Sequence, residues 1–138
     1  MRKIVSATVL FCFLSPAVAS QGECDDHYTK EGSFFSGRRF HAWKEYPGIS
    51  NDAAFDIVSR AMLNLGFSIT NSDKSSGLVS AQHGVMGSPA TVPLNAVIQA
   101  NGGDGSRVDL TFAPQGGVIM SEDRVKSGFC DIFDAVGK

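Results

Sequence analysis

What this sequence lacks narrows it first. Past residue 19 no run approaches the roughly 20 apolar residues that a helix needs to cross a bilayer. The rest of the chain therefore reads as having no stable membrane insertion. Basic residues are not gathered there: Arg38-Arg39 is the only adjacent pair, and the formal net charge is −2. Binding a phosphate backbone requires clustered positive charge, so nucleic acid is a poor partner. Only three cysteines occur, at 12, 24 and 130. Cys24-Asp25-Asp26-His27 has ligand types at close spacing, but structural zinc needs four ligands and no second pair lies nearby. Gly84-Val85-Met86-Gly87 lacks the lysine and the spacing of a phosphate-binding loop. No metal or cofactor is expected, and no internal repeat stands out.

The N-terminus does carry a clear pattern. Arg2 and Lys3 form a positive start, Ile4 to Leu14 is almost wholly apolar, and Pro16 breaks any helix. Ala17-Val18-Ala19 then offers small residues where a signal peptidase accepts them, which places cleavage between Ala19 and Ser20. A lipoprotein anchor does not fit, because neither Cys12 nor Cys24 directly follows a short Leu-small-small run at the end of the apolar stretch. Residues 1–19 thus read as a signal peptide. The exported chain would occupy the periplasm if the source is a Gram-negative bacterium.

Removing that segment leaves about 120 residues, enough for one domain with a single modest core. Formal net charge moves from −2 to −4, because Arg2 and Lys3 leave and no acid does. Cys24 and Cys130 remain as an even pair in an oxidising compartment. A disulfide between them would close a loop of about a hundred residues and add a few kcal/mol of stability. Two free thiols are the alternative.

Residues 20–37 are polar and rich in glycine and serine, and read as a flexible leader. A single domain is expected from 38 to 138. Phe40 to Tyr46 alternates as a first strand that ends at the Pro47-Gly48 turn. Ser50 or Asn51 can cap a helix with Asp52 in its first turn. Phe55, Val58, Met62 and Leu65 then recur at helical spacing, and Gly66 stops the helix. Phe67 to Thr70 and Leu78 to Ala81 form one hairpin. Val92 to Ala100 and Val108 to Phe112 form a second, across the turn Asn101 to Gly105. Pro93 argues for an edge position or a later strand start. A last helix begins near Ser121 and buries Val125, Phe129, Ile132, Phe133 and Val136. The fold class is α+β: two helices on one face of a four- to five-stranded antiparallel sheet, in the order β-α-β-β-β-β-α.

The run AFDIVSRAMLNLGFSITNSDKSSGLVSAQ, with its preceding cap at residues 51–53, resembles the BamC-like repeat domain of small bacterial envelope lipoproteins. The shared features are a helix, Leu-Gly-aromatic, an alternating strand, a charged turn ending in glycine, and a strand entering Ala-Gln. The resemblance covers residues 51–82 and, loosely, the C-terminal helix. It implies a helix-and-sheet module without catalytic residues, whose matched positions (Phe55, Leu65, Gly66, Phe67 and Gly77) serve the fold. The missing lipobox departs from that family and argues against outer-membrane tethering.

Catalytic chemistry has little to stand on. His83, Ser88 and Asp104 make a triad on paper, without the strand-turn-helix context that exposes a nucleophilic serine. A small periplasmic enzyme is therefore the least favoured reading. The sequence points instead to a noncatalytic exported envelope protein that binds a protein partner or supports an envelope assembly. The sharper alternative is a periplasmic immunity protein or inhibitor that neutralises a toxin or hydrolase. Its candidate binding loops are His83, Val85, Met86 and Ser88 in one, and Asn101 and Asp104 in the other.

Overall fold

The computed structural model describes Cys24 and residues 26–138, so the signal segment and its Ala19-Ser20 cleavage point lie outside the described residues. Period-two patterning builds six strands: β1 (Tyr28–Ser33), β2 (Gly37–Tyr46), β3 (Ser68–Asp73), β4 (Leu78–Gly84), β5 (Thr91–Ala100) and β6 (Ser106–Phe112). Period-3.6 patterning builds α1 (Asn51–Asn64) and α2 (Glu122–Gly137). The strands form one sheet in the order β1-β2-β6-β5-β4-β3, with every neighbouring pair antiparallel.

One face of this sheet is apolar and carries both helices. Phe40, Ala42 and Tyr46 of β2, Leu94, Ala96 and Ile98 of β5, and Val108, Leu110 and Phe112 of β6 are all buried there. Val58 and Met62 of α1 and Ile132, Phe133 and Val136 of α2 close the layer with no exposed surface. Each fully buried side chain of this size stabilises the fold by roughly 1.5–3 kcal/mol before ordering costs. The helices pack on each other as well as on the sheet.

Three expectations need correction. The sheet has six strands, not four or five, and the order is β-β-α-β-β-β-β-α. The additional strand is β1, which lies inside the stretch read as a flexible leader over 20–37. Its residues Tyr-Thr-Lys-Glu-Gly-Ser are mostly exposed and carry no apolar alternation. It is a polar edge strand, paired along its length with β2. Pro93 marks neither an edge nor a late start, because β5 lies between β4 and β6. In an antiparallel strand one residue's N and C=O face the same neighbour. The Pro93 carbonyl accepts from Ala113 N at 3.3 Å, just past the end of β6. The missing N–H therefore falls opposite Ala113, beyond the last residue of β6, where the ladder is ending.

Local signals explain the helix ends. Ser50 Oγ accepts from Ala53 N at 3.2 Å as the α1 cap. At the other end Gly66 takes a φ of +87°, Gly66 N donates to Leu63 O at 3.0 Å, and Phe67 N donates to Met62 O at 3.1 Å. That is a left-handed stop, which glycine adopts without strain. Gly77 answers a different need. It turns β3 into β4 at a φ of +72°, and a Cβ there would sit 2.1 Å from Ile98 O.

The antiparallel order sends the connections to two opposite ends. The β1–β2, β4–β5 and β6–α2 connections share one end with the C-terminus of α1 and the N-terminus of α2. The β2–α1, β3–β4 and β5–β6 connections and the C-terminus of α2 share the other. At that second end the fold is shut. Tyr46 Oη donates to Phe133 O at 2.8 Å inside the core. Burial, and secondarily the charge of Asp134, push the Tyr46 phenol well above its ordinary pKa.

Candidate functional site

At the first end the two layers part. A cleft of about 440 Å³ opens there between the sheet and α2. Its floor is Leu94 of β5 and Phe112 of β6. Leu65 and Phe67 form one wall, Val85 and Met86 the lip, and Val125, Phe129 and Ile132 of α2 the other wall. The sequence places these apolar groups through simple alternation. Val92 and Leu94 point to the helix face of β5, and Phe112 to the same face of β6. The β6–α2 connection, Ala113 to Ser121, is long enough to hold the start of α2 away from them.

The wall is ordered by ring contacts. Phe67 meets Phe112 edge-to-face with centroids 6.4 Å apart, and meets the His83 ring edge-to-face at 5.4 Å. His83 Nδ1 lies 2.7 Å from Gly84 O. A carbonyl cannot donate, so Nδ1 carries a proton and the neutral ring keeps Nε2 as its acceptor. Arg124, in the first turn of α2, is the other polar side chain on the cleft and makes no ion pair among the described residues.

Gly128 is the most informative residue of the cleft. It lies in the middle of α2, lines the cavity, and needs no special backbone angle. A Cβ built on it would meet nothing within 4 Å. Glycine inside a helix costs about 1 kcal/mol relative to alanine. Gly128 is half-buried, and its missing side chain leaves this part of the cleft wall open.

The predicted site residues divide. His83, Val85 and Met86 line the cleft, and Ser88 lies in the same β4–β5 connection, its Oγ accepting from Ala90 N at 3.1 Å. Asn101 and Asp104 lie beyond the other end of β5, a ten-residue strand, about 30 Å away at the usual rise. The fold therefore does not assemble the paper triad of His83, Ser88 and Asp104. The two candidate loops lie at opposite ends of the sheet. Phe67, Phe112, Arg124 and Gly128 were not singled out as site residues by the sequence. An isolated glycine inside the α2 pattern was the signal available for the last of them.

Two further features sit away from the cleft. Cys24 and Cys130 come together at bonding distance, with Cα atoms 5.4 Å apart. This contact, a Lys30–Glu122 ion pair, and Lys126 lying 4.7 Å from the Tyr28 ring centroid tie the N-terminal strand to α2. The hydrogen bond from Lys30 holds the Glu122 carboxyl below its usual range. On the face of the sheet without helices, Trp43 stacks on His27 at 3.6 Å and carries the Arg107 guanidinium at 4.0 Å. Asp109 accepts both Arg107 nitrogens at 3.0 Å and lies 3.3 Å from His41. These groups satisfy one another. His27 is engaged with Trp43, and among the described residues no group of three or more metal-ligating side chains comes together.

No family model matches the sequence, and no curated protein matches it. Among solved structures, the crystal structure of CalU16 from Micromonospora echinospora is similar, with a TM-score of 0.57. The alignment covers 80% of this chain and 81% of that one at 12% identity. At that identity the likeness shows the fold alone.

Proposed function

We propose that this chain is a noncatalytic exported binding protein of the cell envelope, and that its ligand is an amphiphile held in the cleft between the sheet and α2. The observation that carries the reading is Gly128, a mid-helix glycine that leaves unfilled space against an apolar cavity of about 440 Å³. That volume falls within the usual range of small-molecule sites, roughly 300–1,000 Å³. The lining is apolar except at the mouth, where Arg124 and His83 suit an anionic or hydrogen-bonding head group. Export is supported by the N-terminal pattern, and an envelope setting by the resemblance over residues 51–82.

The test is a titration with 1-anilinonaphthalene-8-sulfonate, an apolar ring system bearing an anion, followed by displacement with palmitate. Native protein should show one saturable site. Gly128→Leu, whose Cβ meets nothing within 4 Å, should weaken binding at least tenfold while keeping the melting temperature. Equal binding by the two would overturn the proposal.

A second reading makes the occupant an apolar side chain of a protein partner. Met86, 97% exposed beside the cleft, favours it. Affinity purification from the periplasm should then return one stoichiometric partner that Gly128→Leu fails to retain. Recovery of none at low salt would count against it.

A further inference from the structure

The large apolar side chains that the fold leaves in solvent are confined to one end. Phe35 is 90% exposed, Met86 97% and Ile119 85%, with Phe34 and Leu63 less so. Phe34 and Phe35 lie on the β1–β2 connection, Met86 on β4–β5 and Ile119 on β6–α2, while Leu63 is in the last turn of α1. Met86 lines the cleft, and the others share its end of the fold. The four connections at this end are residues 34–36, 65–67, 85–90 and 113–121, and none contains a charged residue. The opposite end carries Lys74 and Asp104 in its turns.

These tips are held out by their own backbones. Ser33 and Ser36 bond each other's amides and hydroxyls across Phe34-Phe35. Val85 N donates to Ala90 O at 3.0 Å beneath Met86, and Gly117 N donates to Phe34 O at 2.9 Å, linking two of the loops. Behind the tips stand Arg38, Arg39 and Arg124, none in an ion pair among the described residues. Acids are present too: Glu31 and Asp123 are unpaired, and Glu122 is occupied by Lys30 and Lys126. Arg38 and Arg39 lie at the start of β2, directly after the turn that carries Phe35.

We propose that this end docks on a bilayer surface containing anionic lipids, with Phe35, Met86 and Ile119 entering the head-group region. Separate projecting tips with arginines behind them suit an interface, where apolar groups sink into the head-group region and basic groups meet the phosphates. A protein-binding patch is the other common meaning of exposed apolar surface. Such a patch usually has one well-packed apolar core, whereas these side chains stand on separate connections. Docking would place the cleft mouth against the bilayer, a source of the amphiphile. That last link rests on the function proposed above, whereas the docking itself does not.

The experiment is vesicle flotation. Native protein should float with vesicles of one part phosphatidylglycerol to three of phosphatidylcholine, and far less with phosphatidylcholine alone. Phe35→Ser/Met86→Ser/Ile119→Ser should lose at least tenfold in partitioning. Arg38→Gln/Arg39→Gln should lose about fivefold per arginine, together with its salt dependence. Any residual N-terminal segment is common to native and variant proteins, so their difference reads the loops. All five positions are surface ones, and unchanged melting curves will show that the variants fold. Failure of the native protein to float, or equal flotation of native and triple variant, would overturn the proposal. So would sedimentation showing that the tips are instead buried in a dimer. Dye titration without vesicles reads the cleft separately, so either idea can fail alone.

Discussion

The two ends of this sheet are built from the same strands and finished differently. At the closed end the Tyr46 hydroxyl reaches the Phe133 carbonyl, Gly77 lets β3–β4 turn against Ile98, and the C-terminal half of α2 buries Phe133 and Val136 completely. At the cleft end α2 begins after a long uncharged connection, Gly128 leaves space, and Phe35, Met86 and Ile119 stand in solvent. Closure at one end supplies the stability that permits an incompletely filled cavity at the other. The difference lies in where along the strands the large apolar side chains fall: those of one end are packed together, and several at the other stand in solvent.

Substitutions at the closed end should have the largest effect on stability. Phe133→Ala should destabilise by about 3–5 kcal/mol in urea unfolding, whereas Met86→Ser should stay within about 0.5 kcal/mol. Comparable losses at both sites would erase the distinction. Replacing Cys24 and Cys130 together by serine should remove about 2–4 kcal/mol, and reducing agent should then have no further effect. Tyr46→Phe should cost about 1 kcal/mol and change the alkaline response. The folded phenol has a raised pKa, so its contribution is complete below about pH 10 and is lost as pH rises above that value. The phenylalanine variant should show a flatter stability curve there.

Smaller effects sharpen the cleft end. Gly128→Ala should raise stability by up to about 1 kcal/mol while weakening ligand binding, the opposite signs expected where open volume serves function. Glu122 has a lowered folded pKa, so its contribution is present above the ordinary carboxylate range and fades as pH falls through it. Glu122→Gln should lessen the acid-side decline seen in thermal melts between about pH 5 and 3. An unchanged acid limb would show that the Lys30 contact carries no such linkage.

Much of the architecture was legible because its signals are local. Ser50, Gly66 and Ser121 marked helix ends, and the alternation of β5 and β6 gave the second hairpin its face. β1 was illegible because an edge strand held by its backbone needs no apolar pattern. Pro93 misled because its exemption depends on where a neighbouring strand stops, which is a tertiary fact. His83, Val85 and Met86 were found through their glycine-containing loop, but Asn101 and Asp104 were grouped with them only because both segments are turns. Gly128 needed the opposite inference, from a residue whose missing side chain matters. Its meaning emerged only when Leu94, Phe112 and Phe129 were seen to face the same space.

The most direct test of the central claim is an amide NMR titration of the native protein with palmitate. The account predicts saturable shifts concentrated at Phe67, Val85, Met120 and Gly128, with Ser106, Phe133 and the Trp43 face unmoved. Shifts centred on the Trp43 face, or no saturable shift at the cleft residues, would contradict it.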